Sequence, residues 1–115
     1  MSEPDTAASW ADFERVGLRA GTIRKVEPFP EARKAAYKLW IDFGSFGMRQ
    51  SSAQLTALYT PESLLDRQVI CATGLGSKRV AGFRSEVLVT GFARADGAIV
   101  LAAVDQKVSD GSPLC

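Results

Sequence analysis

The clearest alternation of large apolar and polar residues runs over positions 37–43. There Tyr37, Leu39, Ile41 and Phe43 share one face of an extended strand, and Lys38, Trp40 and Asp42 share the other. The first face goes to a core, so Trp40 points away from it. Upstream, residues 16–27 are also strand-compatible, with Val16, Leu18 and Ala20 in step, but Ile23 breaks the parity just past Gly21. A glycine at such a break predicts a bulge or sharp bend, hence one long bent strand. Residues 68–73 (QVICAT) and 86–93 (EVLVTGFA) are near-continuous apolar runs, and 98–104 (AIVLAAV) follows an Asp96-Gly97 turn signal. Gly44 and Gly47 bracket a tight link into residues 48–52. Helical signals are short: Ser9 as N-cap with Asp12 three residues on predicts a helix over about residues 10–15, and Pro61 opens a helical turn at PESLL.

Five or six short strands with only short helices predict an all-β domain. A long bent first strand that serves two sheets is the mark of a small Greek-key barrel, and the five-stranded OB-fold is its common form. The 115 residues are enough for one core without staples. The expected organisation is a flexible acidic tail over residues 1–8 and a single domain over 9–115. The N-terminal helix is too short to stand alone in water. The face that Trp10 and Phe13 share must therefore dock, either on its own domain or on a second subunit as a dimer interface.

Composition narrows the function classes. The chain has no histidine, which removes the commonest general base and the commonest transition-metal ligand. Neither a P-loop nor a GxGxxG pattern occurs, and no close carboxylate pair sits in a pocket motif. The expectation is a binding protein rather than an enzyme, with no cofactor and no metal. Cys71 lies in an apolar run and Cys115 at the last position, without metal-ligand spacing. The acidic opening does not read as a secretory signal and no apolar run is long enough to span a membrane, so the expected location is cytoplasmic.

A formal net charge of +1 hides a strong asymmetry. Residues 15–94 hold 13 of the 14 Lys and Arg but six of the 13 carboxylates, a net of +7, while both ends are acidic. A basic body suits a polyanion; it equally suits a solvated surface between acidic tails. The loop PFPEARK places Phe29 between Pro28 and Pro30, which fix φ and forbid a helix interior. That predicts a stiff protruding loop with an aromatic available to a ligand, followed at once by Arg33 and Lys34. Trp40 on its outward face could stack on a base, grip an apolar peptide side chain, or pack under the N-terminal helix or a dimer mate. In an OB-fold the first loop, the face of the second and third strands, and the connection between the fourth and fifth strands surround one groove. Phe29, Arg33, Lys34, Lys38, Trp40, Arg49, Gln50, Ser51, Ser52 and the basic run Lys78, Arg79, Arg84 are expected to converge there.

The segments LRAGTI, FPEARKAAYKLWIDFG, RQSSAQLTALY, QVICA and AGFRSEVLVTGF, in that order and spacing, resemble the stand-alone tRNA-binding-domain family, and within it the CsaA-type export-related chaperones. The resemblance runs from about Asp12 to the C-terminus. It implies an OB-fold homodimer whose paired grooves bind tRNA or unfolded preprotein segments, with a link to the export ATPase SecA. It also implies groove roles for Gln50, Ser51, Ser52 and Gln54, for Ser85 and Glu86, and for Lys78, Arg79 and Arg84. Where relatives carry an Asn-aromatic-Pro-Pro run before the basic pair, this chain has Gly74, Leu75, Gly76 and Ser77.

Overall fold

The computed structural model describes residues 6–115, so most of the expected acidic tail lies outside the described residues. The alternating run forms β2 (Tyr37–Asp42), which lies between β1 (Leu18–Pro28) and β3 (Met48–Ala53) in a five-stranded antiparallel sheet completed by β4 (Gln68–Ala72) and β7 (Leu88–Val89), in the order β3-β2-β1-β4-β7. The alternation holds: Leu39, Ile41 and Phe43 are fully buried, and with Ile23, Leu64, Val69 and Cys71 they form the core. Burial pushes the Cys71 thiol up to about 12, so it packs as an inert hydrophobe.

β1 is the long bent strand the pattern predicts. Its first part, from Leu18 to Thr22, pairs with β4, and its second part, to Pro28, pairs with β2. The irregularity falls between Ile23 and Lys25, just past Gly21, where the parity changes. Gly21 itself also serves close packing, since a Cβ there would sit 2.6 Å from the Phe43 ring and 2.7 Å from Ile41. The result is a nearly closed β-barrel with few short helices, in keeping with an OB-fold.

The helix signals are also realised. In α1 (Trp10–Val16) the Asp12 backbone N–H donates to Ser9 Oγ and the Ser9 N–H to the Asp12 carboxylate, and Gly17 ends the helix at φ +67°. No residue of α1 is buried. Pro61 opens the single turn of α2 (Pro61–Leu64), capped by Thr60.

Three features depart from the sequence reading. The apolar run 86–93 breaks into β7 and β8 (Gly91–Ala93), because Thr90 donates both its N–H and its hydroxyl to the Ile70 carbonyl. The run 98–104 shortens to β9 (Ile99–Leu101), which pairs with β8 across the predicted Asp96-Gly97 turn. Residues 78–85, expected as a connection, form their own hairpin of β5 (Lys78–Val80) and β6 (Phe83–Ser85). The C-terminal segment, for which the pattern predicts no strand, lies along the first part of β1. Gly111 N–H donates to the Ala20 carbonyl, Ala20 N–H to that of Ser112, and Leu114 N–H to that of Leu18. Asp110 anchors it, accepting from Thr22 Oγ1 at 2.6 Å and Gln68 Nε2 at 3.0 Å.

Candidate functional site

Between the loop of residues 29–36 and the β5–β6 hairpin lies a groove of about 1010 Å³. Arg33 and Lys34 rise from one wall, Lys78 and Arg79 from the other, and all four are exposed. Ser52, Gln54 and Ser85 line it as well. The floor is aliphatic, with Leu55, Val87, Val89 and Ile99 below and the exposed Leu75 and Leu88 at the edge. Among the described residues that line it there is no carboxylate and no aromatic ring. Such a trough offers a positive field over an apolar bed.

The other residues expected in this trough lie elsewhere. Phe29 does not protrude: it is 4% exposed. Proline fixes the backbone of the loop but not the direction of the ring between the prolines, and the ring turns inward onto Phe83, edge-to-face at 5.6 Å. Trp40 meets the same Phe83 at 5.9 Å, and its indole N–H donates to Gln50 Oε1 at 3.2 Å. Lys38 Nζ stands 4.7 Å from the centre of the Phe29 ring and Lys25 Nζ 4.8 Å from that of Trp40. Phe29, Lys38 and Trp40 are therefore a packed cation–aromatic cluster outside the groove, and Trp40 packs on Phe83 rather than under the N-terminal helix. Sequence reasoning missed Phe83, the ring that joins them. Its only signal was an apolar residue opposite Val80 in an otherwise polar hairpin.

A third group stitches the hairpin to the sheet. Gln50 Nε2 donates to the Arg84 carbonyl at 2.8 Å, Glu86 N–H to the Gln50 carbonyl at 2.8 Å, and Gln50 N–H to the Glu86 carboxylate at 3.1 Å. Ser52 N–H donates to Ser85 Oγ, and the buried Ser51 hydroxyl to the Val87 carbonyl. Hydrogen bonds like these, shielded from water on one side, fix the hairpin base. Arg49 pairs with Ile41 near the start of β3, and Arg84 faces Arg79 across the hairpin; Arg49 and Arg84 do not line the groove. Trp10 is 79% exposed and Phe13 half-buried, their rings edge-to-face at 6.1 Å.

Residues 18–113 match the family model described as a putative tRNA binding domain. The chain belongs to the tRNA-binding-domain family. Its fold is shared with the crystal structure of the chaperone CsaA from Bacillus anthracis, with 43% identity, a TM-score of 0.89 and coverage of 96% of this chain and 100% of that one. The CsaA chaperone protein from Picrophilus torridus has 36% identity and a TM-score of 0.87, over 95% of this chain and all of its own. The resemblance to CsaA-type proteins thus holds in three dimensions. Curated relatives include the methionine–tRNA ligases of Methanosarcina mazei, 30% identical over 105 residues, and Salinibacter ruber, 33% identical over 104 residues. This tRNA-binding-type domain aligns with 90% of its own length but with 14% of either ligase. Family and neighbours together support a binding module.

Proposed function

We propose that this domain is a non-enzymatic, chaperone-type module that holds acidic, apolar-containing segments of unfolded preproteins in the cationic groove. The observation that carries the reading is the make-up of the trough: four cations on its walls, an aliphatic bed, and no ring among its described lining residues on which an unpaired base could stack. Phe29 and Trp40, the two aromatics expected at the groove, are engaged instead with Phe83 and with lysines. An extended polypeptide would gain from burial of aliphatic side chains, while the rim cations favour acidic segments and speed their encounter. The likeness to two proteins named as CsaA chaperones supports the same reading. On it, the protein works in the cytoplasm in protein export, with SecA as the partner that the resemblance implies.

The second reading is tRNA binding through phosphate contacts, supported by the family match and by the same four cations. Salt separates the two. In a competition between total tRNA and an acidic unfolded precursor peptide, RNA affinity should fall by about a thousandfold or more from about 50 to about 200 mM salt, whereas peptide affinity, held partly by the aliphatic bed, should fall by about tenfold. Peptide capture that persists while tRNA is released supports the chaperone reading. Persistent tRNA binding with no peptide capture overturns it.

We also propose a homodimer. No α1 residue is buried and the Trp10 ring is largely bare, while the β8–β9 hairpin presents Phe92 and Val100 outward as a cross-strand pair. Apolar surface of this kind favours a second copy of the chain. The double change Trp10→Ala and Phe13→Ala should raise the dissociation constant of the dimer at least about tenfold, read by sedimentation over a dilution series. A variant that remains dimeric at the same dilutions would place the interface elsewhere.

A further inference from the structure

The loop that forms one wall of the groove also borders a second, smaller and shallow hollow of about 360 Å³. Pro28, Phe29, Pro30, Ala35, Tyr37 and Thr56 line it, and none of them carries a charge. Ala32 and Ala36 line both this hollow and the groove, so the two adjoin at those positions. Arg33 and Lys34 lie between those two alanines in the chain and face the groove.

The walls are set before any ligand arrives. Pro28 and Pro30 hold the backbone, and the Phe29 ring is clamped between Phe83 and Lys38. Tyr37 donates its hydroxyl to the Tyr59 carbonyl at 2.8 Å, which satisfies its polar end and leaves its ring to the hollow. A preformed apolar recess loses little entropy on filling, and its volume is at the small end of the range for ligand sites, enough for a side chain rather than a whole ligand.

We infer that this hollow is an anchor subsite that takes one aliphatic or aromatic side chain of an extended polypeptide whose neighbouring carboxylates meet Arg33 and Lys34. The inference rests on the peptide reading of the groove and deepens it. Charge complementarity selects the occupant: an uncharged recess adjoining two cations that make no ion pair among the described residues fits an apolar residue set among acidic ones. In an extended chain side chains on one face repeat every ~6.6 Å, so an anchor residue and its acidic neighbours can reach recess and cations together. The rim cations, being exposed, discriminate weakly among acidic segments. The recess is what would distinguish one segment from another.

Two fluorescent peptides of equal length and equal acidic content test this, one with a central leucine and one with serine in its place. The intact protein should bind the leucine peptide about fivefold more tightly, the scale expected for partial burial of one such side chain. Ala35 is exposed and lines the hollow but not the groove. Ala35→Gln, which fills the hollow with a polar side chain, should bring the ratio to about one. Equal binding of the two peptides by the intact protein, or a ratio that survives Ala35→Gln, overturns the inference while leaving the groove reading intact. Failure to bind either peptide overturns the groove reading itself. A single-stranded RNA oligomer whose affinity drops with Ala35→Gln would make the occupant a base and would also overturn the inference.

Discussion

Changing Arg33, Lys34, Lys78 and Arg79 together to glutamine should lower affinity for an acidic unfolded peptide by about a hundredfold at low salt. Each exposed cation contributes little alone, but four on facing walls of one trough act on the same ligand, and a loss of roughly half a decade each compounds to that size. Glutamine keeps much of the length of the side chains and removes the field. None of the four is buried, so the melting temperature should stay within a few degrees of the parent. Fluorescence anisotropy at about 50 and about 300 mM salt reads the effect, and the difference between parent and variant should shrink at the higher salt. Undiminished affinity at low salt would move the binding site out of this groove.

Phe83→Ala should cost about 2–3 kcal/mol of stability, a large fraction of what a small domain has. The ring is half-buried, yet it is the shared partner of Phe29 and Trp40, and Lys38 Nζ stands 5.3 Å from its centre. Truncation leaves two aromatics without their edge-to-face contact and frees the far end of the β5–β6 hairpin, which then hangs on the hydrogen bonds of Gln50, Ser52 and Glu86. Urea unfolding measures the loss. Amide exchange should quicken at residues 78–85 more than in β2, because the hairpin now opens locally. Ligand affinity should fall as well, since Lys78 and Arg79 lose their fixed position opposite Arg33 and Lys34. An unchanged urea midpoint would show that the cluster adds nothing to the fold.

The parts of the fold legible in the sequence are those that depend on neighbours in the chain. The period of two in β2 places Leu39 and Ile41 in the core whatever else happens, and the capping pair Ser9 and Asp12 acts within one helical turn. The bent first strand could be read from its broken parity past Gly21, and the irregularity between Ile23 and Lys25 lies there. That the Phe43 ring packs close over Gly21 could not be read, because the two meet only once β1 and β2 are paired. The cationic walls of the groove were legible because loop and hairpin each carry adjacent basic residues. The direction of the Phe29 ring was not, because its partner Phe83 lies far along the chain in a segment that reads as loop. Gln50, Ser51 and Glu86 look like ligand contacts in sequence for the same reason that they make good stitches: each offers side-chain donors or acceptors, and tertiary structure decides what they meet.

The last segment of the domain is hydrogen-bonded alongside the first strand, with Leu114 against Leu18 and Asp110 against Thr22. A chain emerging from the ribosome therefore carries an incomplete barrel, with the early part of β1 lacking this neighbour, until almost the whole domain has been synthesised.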